Sequence, residues 1–410
     1  MAKTSELHLM IIWKNALYKK NKILEDLKQQ FTIRNMFNIK WTDENYSDNL
    51  SRFYGTSLPA GSGKEEHCGK GTFLLIIFED KNPQYDYRMT SHGKSYVNTN
   101  VFDKKTLYRN WTGGGHKIHA TDNTYEFNHD ITLLLGVNAL DFKNSFKQNN
   151  RTRTINQDIV GANGWNSLEE LFYVLNNCIK YIVLRDFEND MMELYNIPSY
   201  DADILCENEA NCKWLLNADL EMIDGKPQYS TILKGNKCLF DIKSIDDGYY
   251  CQKMANDILD NRVMNNFYYV PKKEYHYMSC LYHALVHKFN FETEYNKRLE
   301  YIFGKKIHNS NNNKEYFIDK CSKWLLKHNY DIVIYKNNLN NFNEENIKMF
   351  DPNLYSEDLF MLHSIYAENS RLKVENLNLK NNLNYINENY SRVINSKGWK
   401  FLEKIRKIVR

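Results

Sequence analysis

The residues with most chemical potential in this chain are three carboxylates in apolar surroundings. Asp201 and Asp203 stand two apart in Tyr200-Asp201-Ala202-Asp203-Ile204-Leu205, and Asp241 lies in a second apolar run, Leu239-Phe240-Asp241-Ile242-Lys243. Alternate residues of a strand point to the same side. The spacing therefore predicts that Asp201 and Asp203 share one face, where Asp241 from a neighbouring strand completes an all-oxygen site for Mg²⁺ or Mn²⁺. Such a site serves chemistry on phosphates, and Asp241 is the expected acceptor of the proton of an attacking hydroxyl. Arg185, directly after Tyr181-Ile182-Val183-Leu184, has the planar fork that grips a phosphate by two parallel hydrogen bonds.

A second constellation runs from Trp111 to His119. Gly113, Gly114 and Gly115 permit close backbone approach, so their amides, with His116 and Lys117, are expected to bind an anion, and His116 or His119 to move a proton. A tight turn between sheet and helix would use the same glycines. His276, Cys280, His283 and His287 fall on one helical face. That spacing suits packing, with a hydrogen bond from His283 or His287 to a substrate phosphate, better than zinc, whose sites usually draw on more than one element. Gly61-Ser62-Gly63-Lys64 lacks the spacing of a nucleoside-triphosphate loop.

The elements that must position these groups follow from periodicity. Residues 6–13, 31–41 and 72–78 are expected as strands, with helices over 17–29 and 43–54 between them. This alternation predicts a small N-terminal α/β domain, residues 1–146, with a mostly parallel sheet. The segment Lys147 to Gln157 has the composition of a linker. A second domain, 158–345, opens on the capping box Ser167-Leu168-Glu169-Glu170 and continues helix, strand, the strand bearing Asp201 and Asp203, helix, and the strand bearing Asp241. From 358 to 410 the pattern changes: Ile365, Leu372, Leu379, Ile386 and Val393 recur every seven residues, which predicts a coiled coil and through it a homo-oligomer. Residues 396–410 set six basic side chains against Glu403 beside Trp399, Phe401, Leu402 and Ile405. A basic amphipathic end of this kind suits an anionic membrane surface, or equally a protein face.

Composition bounds the rest. The 410 residues are 42% hydrophobic and 26% charged, with a net charge of +3 and no basic stripe through the middle of the chain, which argues against nucleic acid as a partner. The eight cysteines are scattered without close pairs, as expected of reduced core thiols. No run approaches the roughly 18 apolar residues of a membrane span, and the N-terminus reads as a strand, not an export signal. The expected setting is a bacterial cytoplasm, at the inner face of the cytoplasmic membrane if the basic end binds there.

The segment from about 165 to 290 resembles the nucleotidyltransferase-fold superfamily, in particular its uncharacterised bacterial branch and the phosphocholine and fukutin-type transferases. The matching pieces are Tyr181 to Glu188, Asp201-Ala202-Asp203, Asp241 and Leu281 to His287. The resemblance implies a nucleotidyltransferase-like mixed sheet with helices, metal binding by Asp201 and Asp203 with Asp241 as third acid, and a cytidine-diphosphate-type donor. Where the family has a Gly-Ser turn, this chain has Arg185-Asp186. Gly113 to Lys117 also has a faint similarity to the Gly-Gly-His-Arg loop of the ParB and sulfiredoxin class, which implies nucleotide-phosphate binding. The coiled coil with its Ser-x-x-Trp-Lys ending is similar to bacterial capsule and lipopolysaccharide assembly enzymes, which implies a polysaccharide or sugar acceptor.

The expectation is thus a mixed α/β (α+β) chain acting as a metal-dependent transferase, moving a phosphate-linked group from a nucleotide-activated donor to a hydroxyl of a surface polysaccharide or its precursor. His283 and the three acids are its expected catalytic groups. Two alternatives stand beside it: a nucleotidyltransferase that activates a small phosphorylated metabolite and releases pyrophosphate, and a non-catalytic scaffold at the membrane.

Overall fold

The computed structural model describes residues 5–91, 93–149, 151–187, 201–223, 226–288, 299–300, 313–333 and 343–355, with scattered helical positions from 372 to 386. The segment 396–410 and most of the expected coiled coil lie outside the described residues. The chain is a mixed α/β protein. It divides into two compact units, Met1–Asp247 with Gln252–His276, and Gly248–Cys251 with Tyr277–Arg410.

The first unit contains two five-stranded sheets among the described residues. In the N-terminal sheet, β1 (Glu6–Ile12), β2 (Thr32–Lys40), β3 (Phe73–Asp80), β6 (Ile118–Ala120) and β7 (Thr152–Asn156) lie in the order β6-β1-β3-β2-β7. β1 and β3 read as nearly continuous apolar runs because both faces of the sheet are covered. On one face Met10, Ile12, Leu74 and Ile76 pack with α1 (Lys20–Gln30) and α4 (Thr99–Trp111). On the other, Leu9, Ile11, Leu75 and Ile77 pack with α2 (Tyr46–Tyr54) and α5 (Thr124–Leu135).

Two expectations are corrected here. The sheet is not mostly parallel, since β3 pairs antiparallel with both β1 and β2. The crossover through α1 does join two strands that run the same way, but β3 inserts between them, giving a split β-α-β unit. The stretch expected as a linker carries β7, which pairs parallel with β2 from Met36↔Thr152 to Lys40↔Asn156. Its Thr and Ile content suits an edge strand despite its polarity. A further hairpin, β4 (Tyr85–Thr90) with β5 (Gly93–Asn98), stands as a two-stranded ribbon.

The second sheet has the order β10-β11-β12-β9-β8, formed by β8 (Tyr181–Val183), β9 (Asp201–Cys206), β10 (Asp219–Ile223), β11 (Lys226–Leu233) and β12 (Asn236–Ser244). Here β9 and β12 are parallel and the remaining pairs antiparallel. One face packs on the helices Leu168–Cys178 and Glu209–Leu216. The Ser167 side chain accepts the Glu170 amide, as the capping box requires.

The helix Lys273–Tyr282 runs into a π-helical turn at His283–His287, which belongs to the second unit. A π turn leaves carbonyls without their usual partners. Asn346 Nδ2 donates to the Leu285 carbonyl at 2.9 Å and the Asn343 amide to that of Val286 at 2.8 Å.

Candidate functional site

The parallel pairing of β9 with β12 sets Asp203 opposite Asp241 and Asp201 opposite Leu239. All three carboxylates stand on one side of the sheet, each partly exposed. Asp203 is held by Arg185 in a bidentate pair, Nε to Oδ2 at 2.9 Å and Nη2 to Oδ1 at 2.5 Å. Arg185 is only 4% exposed, so this pair lies largely out of water. Asp241 faces Lys243, Oδ1 to Nζ at 3.0 Å, and Asp201 accepts from Gln228 Nε2 at 3.0 Å.

Asp201 lies beside the two other acids. Its carboxyl is pushed above the usual range, first by burial and then by Asp203 and Asp241. Burial pushes the Lys243 ammonium down, but Asp241, Asp247 and Asp203 outweigh it and the net shift is upward. Asp186, beside Arg185, takes a left-handed backbone with φ 64°, a conformation costly for any residue but glycine and eased by an Asp side chain.

A second cluster lies in the N-terminal sheet. His119 pairs with Ile11 on β1 and so points to the face that α2 and α5 cover. Its Nε2 lies 2.7 Å from Asp130 Oδ2 and 4.0 Å from Glu126 Oε1. The rings of Phe53 and Tyr54 stand edge-on to it at 5.2 and 5.7 Å. Glu126 and Asp130 are four apart on α5, hence on one helical face, and Asn123 caps that helix by accepting the Glu126 amide at 2.9 Å. The sequence marks His119 as a candidate and Glu126 as a helix-start residue with Asn123, and gives neither Glu126 nor Asp130 a place in a site. Their signal was an N-cap directly after a histidine-bearing strand, followed by Glu and Asp at i, i+4.

The triple-glycine loop lies nearby. All three glycines are left-handed, with φ of 79°, 81° and 75°, and a Cβ on Gly115 would meet His67 Nδ1 at 2.9 Å. The amides of Gly113 and Gly114 donate to the Asn110 and Arg109 carbonyls at the end of α4, at 3.3 and 2.7 Å. They close a helix C-terminus, so an anion here would meet side chains and not these amides. Lys117 Nζ donates to the Thr112 carbonyl at 3.0 Å, and Arg109 Nε to that of Ile118 at 2.9 Å. Lys64 lies 3.4 Å over the Tyr54 ring. Its ammonium is pushed down by burial and by Arg109, and the His116 imidazole by burial, Lys64, Arg109 and His67. Positive groups therefore crowd one another around this loop.

In the second unit, His283 Nδ1 contacts the Tyr249 hydroxyl. The Tyr249 ring stacks on His287 with centroids 4.1 Å apart, and His287 Nε2 lies 3.1 Å from the Tyr249 carbonyl. Both histidines are buried. The eight cysteines are free and buried, with the Cys68 thiol pushed up to about 12 by burial. Among the described residues no helix is long and apolar enough to cross a membrane.

No protein-family model matches the chain, and no curated protein does. Among solved structures, an orthorhombic crystal form of the Aquifex aeolicus nucleoside diphosphate kinase is similar at 17% identity with a TM-score of 0.22, covering 31% of this chain and 93% of that one. A likeness of that size carries no argument about fold or activity.

Proposed function

We propose that this chain is a metal-dependent transferase that moves a phosphate-linked group from a nucleotide-activated donor, of the cytidine diphosphate type, to a hydroxyl of a bacterial surface polysaccharide or its precursor. The observation that carries this reading is the register of β9 on β12, which gathers Asp201, Asp203 and Asp241 on one side of a sheet. Carboxylate oxygens are the ligand type a hard divalent cation takes, although these three acids do not bring their oxygens within 4.8 Å of one another, as His119, Glu126 and Asp130 do among the described residues. Mg²⁺ or Mn²⁺ held by these acids would supply charge neutralisation at phosphate oxygens.

The chain's own residues carry the remaining tasks. Arg185, preorganised by its fork on Asp203, is the donor-phosphate clamp, exchanging one carboxylate oxygen for a phosphate oxygen of the same geometry. Asp241 takes the proton of the attacking hydroxyl, and Lys243 at 3.0 Å holds that carboxylate in place. The nucleotidyltransferase reading keeps the same acids.

Phosphorus NMR of the protein with cytidine and uridine diphosphate donors, with and without Mn²⁺, tests both. Cation-dependent release of nucleoside monophosphate, abolished in Asp201→Asn with the fold intact by circular dichroism, is the expected result. Pyrophosphate release from nucleoside triphosphates moves the assignment to the second reading. Turnover unchanged in Asp201→Asn refutes both.

A further inference from the structure

We propose that His119, Glu126 and Asp130 form a second cation site, of the one-imidazole, two-carboxylate class that takes Zn²⁺ with a fourth position left open for water or a substrate oxygen. This goes beyond the transferase reading, which rests on other residues in another sheet.

One ligand atom from each of the three residues lies within 4.8 Å of the others. His119 Nε2 stands 2.7 and 4.0 Å from the Asp130 and Glu126 oxygens, which brackets the roughly 3.3 Å edge expected of a tetrahedron with zinc bonds of about 2.0–2.1 Å. Two elements contribute, β6 and α5, and the i, i+4 spacing holds both acids on the same helical face.

The atoms turned away from this centre are also occupied. Asp130 Oδ1 lies 2.9 Å from His129 Nδ1, and Glu126 Oε2 accepts the Asp122 amide at 2.5 Å. Outer partners of this kind orient metal ligands and keep the inner lone pairs free. Phe53 and Tyr54 wall the imidazole, so its approach is fixed.

Charge gives the third argument. Asp130 is 2% exposed, and no lysine or arginine pairs with it or with Glu126 among the described residues. The nearest ammonium, Lys105, is taken by Asp122. Asp130 contacts the imidazoles of His119 and His129, and the Glu126 side chain, 33% exposed, opens the site to water; a cation between the two acids supplies the counter-charge that a carboxylate pair favours.

Zinc titration calorimetry on the full chain, stripped with chelator, tests the site. The Asp201→Asn variant serves as the background, so that the central acids contribute least. One equivalent is expected to bind, and its Kd to rise at least tenfold in Glu126→Gln and in His119→Gln. Co²⁺ in place of Zn²⁺ is expected to give the intense visible absorption of a four-coordinate centre, lost in both variants. Glu126→Gln is nearly isosteric and removes a repulsion, so it keeps the test open if His119→Gln does not fold. Zinc affinity unchanged in Glu126→Gln, or no such Co²⁺ band in the parent protein, overturns the proposal. Failure of the central acids instead shows as intact zinc binding without cation-dependent transfer.

Discussion

Asp201 is a charge held against its preference. A carboxyl whose pKa rises on folding costs stability when ionised: the native state is favoured at low pH, and that advantage is lost as pH climbs from the ordinary carboxylate value through the raised one. Burial with Asp203 and Asp241 alongside is the cause. Asp201→Asn is therefore expected to raise Tm at neutral pH and to flatten the fall in stability just above the ordinary carboxylate range, as followed by thermal melts across pH. Mn²⁺ at a hundred times its Kd should stabilise the parent by about 2.7 kcal/mol and the variant by clearly less. The Arg185–Asp203 pair behaves in the opposite sense. Removing one partner of a buried pair costs about 3–5 kcal/mol, and with Asp203 side-chain exposure of 16% Arg185→Met should fall at the low end in urea denaturation. At this scale the alternation of Asp201 and Asp203 was legible because strand geometry alone decides it. The partners of His119 were less so, because their spacing crosses from strand to helix, where no single period applies.

Among the elements, α5 connects local sequence to a site most directly. Asn123 accepts the Glu126 amide, which fixes where the helix begins and so where Glu126 and Asp130 stand relative to β6. Asn123→Ala should cost about 1 kcal/mol, read as a shift in the urea midpoint without a change in slope. Most long elements could be placed from periodicity: β1 and β3 as apolar runs, the helix Leu168–Cys178 by its capping box, β9 and β12 by alternation. Neighbour relations could not. Apolar periodicity marks a strand but not the edge it joins, so β3's position between β1 and β2 was out of reach. The ribbon of β4 and β5 and the edge strand β7 were hidden by their polarity, since neither buries a full apolar face.

For the whole molecule, the heptad residues are the open account. Leu372, Leu379, Leu383 and Ile386 are helical and 41–60% exposed. Apolar side chains at that spacing need a partner face, so light scattering on the full chain is expected to show a defined oligomer, reverting to monomer in Leu379→Glu. A monomer at micromolar concentration would rule the coiled coil out. The thiols give a global check on integrity: all eight are buried, so maleimide should label the native protein slowly and the urea-unfolded chain eightfold.

The place of β3 has a consequence for synthesis. The strand that joins β1 to β2 follows both of them in the chain, so until it is made two strands travel with open edges. Nascent chains or proteolytic fragments that stop short of Phe73 should stick to holdase chaperones or aggregate, whereas those that run on through β6, α5 and β7 carry the strands that pair both edges.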